Sequence, residues 1–167
     1  MKKVYLAGKI AKNDWRHSIV PTLRESTWGA HLSIAPGVEY VGPFFTGCDH
    51  GCAHGPSTHG NAVSGCNEEY IHAPNEVPAA CLAAIDQAGI VIAYIEKLDC
   101  YATYLELGYA ISREKEVHLF FAESITEWQR NELWFYRELI PSTQKATVEI
   151  VRTFIHGLAQ KAGVTHV

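Results

Sequence analysis

The sequence predicts an α/β fold: an open, mostly parallel sheet covered by helices on both faces. Three observations predict it. Short apolar runs recur at 4–7, 89–95 and 117–122, amphipathic stretches separate them, and Gly, Pro or acidic turn residues close the runs. Strands alternating with helices form βαβ units with right-handed crossovers, which is the Rossmann- or flavodoxin-like arrangement. With 167 residues, of which 47% are hydrophobic, the chain supports one core and a single domain over residues 1–167.

The elements follow in order. Val4, Tyr5, Leu6 and Ala7 form a first buried strand that ends in a turn at Gly8. Asp14 suits the N-cap of a helix with Trp15, Ile19, Val20 and Leu23 on one face, shortened or kinked by Pro21. Trp15 itself reads as core packing. A second strand is expected within 31–42, its position blurred by Pro36 and Gly37. Residues 36–65 hold seven of the thirteen glycines and three prolines, so a Gly/His/Cys-rich loop is expected at about 36–76.

Beyond the loop, 78–88 reads as a helix and GIVIAYI at 89–95 as a central parallel strand. A helix over 104–114 and a strand over 117–122 come next. Helices near 125–139 and 146–162 complete the chain. In such a sheet a ligand sits beyond the carboxyl ends of the strands, where the strand order switches. The segments after the first strand, after the second, and from Glu96 to Glu106 are therefore expected to converge.

Charge and cysteine usage narrow the function classes. The net charge is −4, and no Lys or Arg occurs between Arg24 and Lys97, while eight Asp or Glu do. Phosphate-backbone binding needs clustered basic side chains, so a nucleic-acid partner is not expected and a small neutral or singly charged ligand is. The amino-terminal apolar run is broken at Gly8 and Lys9, and no stretch approaches the ~20 apolar residues of a bilayer span. No membrane partner is expected. Five cysteines do not form a complete disulfide framework and fit a reducing compartment, so a cytoplasmic location is expected.

LDCYATYLELGYA at 98–110 puts Asp99 in a loop and Glu106 at the start of a helix. Two carboxylates at one pocket suit glycosyl chemistry: one attacks or stabilises the anomeric carbon while the other attends to the leaving group. The helix N-terminus is expected to keep Glu106 ionised. The same letters support a purely structural alternative, since Thr103 and Glu106 have the spacing of a capping box and Asp99 suits a turn. In that case the Glu106 side chain folds back onto the Thr103 amide. Asp86 is expected to be a surface helix acid.

VYLAGKI at 4–10 followed by DCYATYLELGYA at 99–110 resembles the nucleoside 2-deoxyribosyltransferase family, which pairs a Y-x-x-G turn with D-x-Y-G-T-x-x-E-x-G-x-A. The likeness spans the core, residues 3–122. It implies cleavage or transfer at the N-glycosidic bond of a (deoxy)nucleoside or its monophosphate, with Glu106 as nucleophile and Asp99 meeting the leaving base. It also implies that Tyr5 orients Glu106, that Gly8 lets backbone approach the ligand, that Tyr101 and Thr103 line the sugar site, and that no cofactor is required. Three positions depart from the family pattern: Ala102 replaces a glycine, Lys9 a proline, and Cys81 a base-recognising aspartate found in some members. The family's aromatic carboxy-terminal tail is not recognisable in GVTHV. Lys9 and Arg16 are the cations expected at the pocket, and with a monophosphate substrate they would hold the phosphate.

FFTGCDHGCAHGPSTHG at 44–60 clusters Cys48, Asp49, His50, Cys52, His54 and His59. A lid in which His50 and His54 contact the base or sugar is expected here. A structural zinc held by Cys48, Cys52, His54 and His59 is the other reading, although the spacing is not that of an ordinary finger. Two further functions stay open. One is a non-catalytic sensor of a nucleotide or nucleoside derivative on the same fold; the other is a glycohydrolase acting on a dinucleotide such as NAD. Trp128, Trp134, Phe135 and Phe154 leave the last helices apolar on more than one side, so a homodimer or higher homo-oligomer is expected.

Overall fold

A computed structural model describes residues 1–11, 14–23, 31–43 and 76–160. Its sheet has six strands, β1 (Lys2–Ala7), β2 (Leu32–Ala35), β3 (Val38–Gly42), β4 (Ile90–Ile95), β5 (Glu116–Phe121) and β6 (Ser142–Lys145), in the order β2-β3-β1-β4-β5-β6. All neighbours are parallel except β2 and β3. Among the described residues the α-helices are α1 (Glu76–Gln87), α2 (Tyr101–Ser112), α3 (Glu127–Asn131), α4 (Trp134–Leu139) and α5 (Val148–Gln160). This is the α/β, flavodoxin-like architecture that the alternating pattern predicts, with an antiparallel strand added at one edge.

All six residues of β4 are buried, as a continuous apolar run with neighbours on both edges and layers on both faces requires. Register separates the two faces. Tyr5, Val91 and Val117 align across β1, β4 and β5, as do Leu6, Ile92 and His118 one residue further on. On the Tyr5 side lie α1 and α2. On the other, Phe154 of α5 packs against His118 and Phe120, their ring centroids 4.6 and 5.4 Å away, and Trp15 meets Tyr94 edge-on at 5.3 Å. Burying each such large apolar side chain contributes about 1.5–3 kcal/mol, which makes this two-sided core the main source of cohesion.

Several elements differ from their predicted form. The single strand expected over 31–42 is a hairpin, because Pro36 and Gly37 make the turn between β2 and β3 instead of interrupting one strand. The helix after Asp14 is one 3₁₀ turn, Trp15–Ser18, capped by Asp14, which accepts from the Arg16 amide at 3.0 Å. α2 begins at Tyr101, earlier than the apolar spacing indicates. The helix expected over 125–139 is split into α3 and α4, and β6 was not expected at all: STQK is a polar edge strand without hydrophobic alternation. Among the described residues no helix is long and apolar enough to cross a membrane.

The order reverses at β1, whose neighbours are β3 on one side and β4 on the other. Crossovers leaving in opposite directions open a crevice at the carboxyl ends of these strands. Its wall depends on Gly42. This residue sits at φ 155°, and a methyl there would lie 2.8 Å from Tyr5 Cε2 and 3.1 Å from Ala84 Cβ. Gly42→Ala is therefore expected to displace the Tyr5 ring and cost about 1–3 kcal/mol, read as a lower urea midpoint at unchanged slope.

Candidate active site

The crevice holds a pocket of about 260 Å³. Gly8, Lys9 and Ile10 enter it from the end of β1, Pro43 from the end of β3, Cys81 from α1, and residues 99–103 with Glu106 from the β4–α2 connection. The segments expected after the first strand and from Glu96 to Glu106 converge here; of the loop expected after the second strand, Pro43 reaches the pocket and residues 44–75 lie outside the described residues.

Glu106 lies in the second turn of α2 and faces the pocket. Its Oε1 accepts a hydrogen bond from the Tyr5 hydroxyl at 2.6 Å, across 101 residues of sequence. The capping alternative does not hold, because α2 starts at Tyr101 with Cys100 as N-cap and no side-chain cap bond. Thr103 and Glu106 are then interior helix residues; Thr103 is buried and lines the pocket. The expectation that the helix terminus ionises Glu106 is also corrected, since the dipole fades beyond the first turn. Burial dominates and pushes the Glu106 carboxyl up to about 7, opposed by the Tyr5 hydrogen bond and the charge of Arg16. Tyr5 is pushed well above an ordinary phenol by burial, by Glu106 and by Cys81, so it stays protonated and donates.

Asp99 stands at the pocket mouth, paired with Lys9; their side chains are 53% and 41% exposed. The Lys9 hydrogen bond holds the Asp99 carboxyl below the usual carboxylate range, so at neutral pH Asp99 is an acceptor without a proton of its own. Tyr101 forms part of the rim and is exposed. Gly8, at φ 158°, has no room for a side chain: a methyl would lie 2.9 Å from both Trp15 Nε1 and the Tyr94 carbonyl oxygen.

Arg16 differs from the role expected of it. It is fully buried, and its guanidinium donates to the carbonyls of Leu6 at 2.7 Å, Gly8 at 2.5 Å and Lys9 at 3.4 Å, and to Asp14 Oδ2 at 2.6 Å. These bonds use the fork of donors that would clamp a phosphate, and the residue does not line the pocket. Burial raises the Asp14 carboxyl, but the Arg16 charge with hydrogen bonds from His17 and the Arg16 amide outweighs it, leaving Asp14 below its ordinary range.

Sequence reasoning missed Asp14 as the counter-charge of Arg16, Gly42 as the platform under Tyr5, and Cys100 and Pro43 as lining residues. The D-x-R spacing at 14–16 was the available signal for the first. Asp86 is the surface acid expected, joining α1 to α2 through Tyr109 at 2.9 Å and Arg113 at 2.8 Å. His50 and His54 lie outside the described residues, as do Cys48, Cys52 and His59 with the zinc reading.

Arg16→Met is expected to cost on the order of 3–5 kcal/mol in chemical denaturation, because it strands the buried Asp14 charge and three carbonyls. Tyr5→Phe removes the bond that favours ionised Glu106. Its carboxyl should then titrate above 7, measurable by carbon NMR of labelled glutamate. No family model and no curated protein matches the chain, so a function for this pocket is argued from its own residues.

Proposed function

We propose that the protein cleaves or transfers the N-glycosidic bond of a (deoxy)nucleoside or nucleoside monophosphate, with Glu106 as nucleophile. The observation that carries this reading is the Tyr5–Glu106 hydrogen bond at the floor of the switch-point pocket, which no capping role explains. The resemblance of VYLAGKI and DCYATYLELGYA to the nucleoside 2-deoxyribosyltransferase family supports the same assignment.

In this mechanism Tyr5 holds Oε1 of Glu106 and leaves the other carboxylate oxygen for C1′ of the sugar. Attack forms a glycosyl ester as the C1′–N bond breaks and its electron pair leaves with the base. A second acceptor then attacks C1′ and releases the carboxylate. Water makes the protein a hydrolase; another base makes it a transferase. Thr103 and Tyr101 border the space for the sugar, and the base projects toward the mouth, where Lys9 and Asp99 stand. No step of this route calls for a cofactor. A cytoplasmic location and a homodimer or larger assembly belong to the same proposal; the exposure of Trp128, Trp134 and Phe135 on α3 and α4 supports the assembly.

Binding without turnover is the second reading, favoured by Ala102 in place of the family's glycine and by Cys81 in place of the base-recognising aspartate of some members. The pH profile tests both. A nucleophile must be ionised, so base release should rise with pH through about 7 and level off above it. Glu106→Gln should fold normally and lose activity by more than roughly a thousandfold, followed by chromatography of a nucleoside and monophosphate panel with and without free bases. Base release by folded Glu106→Gln at the wild-type rate would remove the proposal, and saturable binding with no product would favour the sensor.

A further inference from the structure

We infer that Lys9 is the proton donor to the departing base and that Asp99 is its positioning residue. The inference rests on the Glu106 reading above and assigns the step that reading leaves open. A base leaving C1′ takes the bonding electrons with it, and for most bases this is slow unless a ring nitrogen or exocyclic oxygen receives a proton in the same step.

The pocket offers few protons at the right place. Asp99, the group the motif points to, has none to give while it is paired with Lys9. The Tyr5 proton is committed to Glu106 at the floor. Thr103 is buried beside the sugar space, and burial pushes the Cys100 thiol up, away from acid chemistry. Among the described lining residues, Lys9 is the cation at the mouth. An ammonium carries three N–H groups; one meets Asp99, and among the described residues the other two meet no acceptor and can face a ligand. The Asp99 carboxylate holds a flexible four-carbon stem in one direction, so the donor is placed before the base arrives.

The step balances. As Glu106 oxygen bonds to C1′ and the C1′–N bond breaks, one Nζ proton passes to the base, leaving a neutral amine beside an unchanged Asp99 carboxylate. In the second half, the attacking water or acceptor base gives its proton to that amine as the ester C1′–O bond breaks. Lys9, 41% exposed, also has access to protons from solvent.

The test uses Lys9→Arg and Lys9→Met on two substrates. Arginine keeps the charge and the pairing with Asp99 but does not release its proton. A purine nucleoside methylated at N7 already carries a positive charge, and its base departs without taking a proton. On an ordinary deoxynucleoside both variants should lose roughly 10²- to 10⁴-fold in kcat, and on the N7-methylated substrate they should stay within about threefold of wild type. Circular dichroism should be unchanged, as both substitutions are at a half-exposed position. Wild-type turnover of the ordinary substrate by Lys9→Arg, or equal losses on both substrates, overturns the inference while leaving Glu106 in place. Failure of the wild-type protein to release base from either substrate overturns the Glu106 reading and this inference together.

Discussion

The buried Arg16 guanidinium organises the end of β1. Carbonyls at the end of a buried strand and in the turn beyond it need partners, and leaving one unpaired in a dry interior costs ~1–3 kcal/mol. Here one side chain answers three of them, at Leu6, Gly8 and Lys9, while Asp14 neutralises its charge. The turn is thereby wrapped around the cation. Gly8 must remain bare because Trp15, Tyr94 and Arg16 crowd it, and the direction of the chain after Gly8 brings Lys9 to the pocket mouth.

The same cation acts at a distance on Glu106. Burial works against ionisation, whereas Tyr5 and Arg16 work for it, and the outcome lies near neutrality. At the mouth the balance is reversed: Asp99 is exposed, directly paired and held ionised. Two carboxyl groups at one pocket thus have their proton affinities pushed apart by environment, which separates what each is able to do.

The parts of this arrangement that were legible in the sequence are those carried by local pattern. GIVIAYI declares a central strand because both its faces and both its edges are buried. Tyr5 and Glu106 were visible as a pair only through motif order, since nothing in either segment encodes their contact. The helix boundary was less legible. Moving the start of α2 from about 104 to 101 changes Glu106 from a cap to a pocket residue, and Cys100, which makes no side-chain cap bond, offers no sequence signal for that start. β6 was hidden because a polar edge strand takes its structure from the neighbour it pairs with. Arg16 was misread for a related reason. A cation after a strand-end turn looks like a ligand-binding group, and only the tertiary path of β1 shows that its ligands are the protein's own carbonyls.

The placement of Tyr5 on a central strand has a dynamic consequence. β1 is paired on both edges, and the Tyr5 side chain is clasped between Gly42 of β3 and Glu106 of α2. Exposing the β1 backbone there requires parting strands in the middle of the sheet, which is an event of global cost, not the fraying of a loop. Amide protons on β1 near Tyr5 should therefore exchange with solvent only as fast as the whole domain unfolds, while the exposed Lys9–Asp99 pair at the rim is held by its own contact and not by the sheet. The floor of the pocket and its mouth belong to different stability classes of the same molecule.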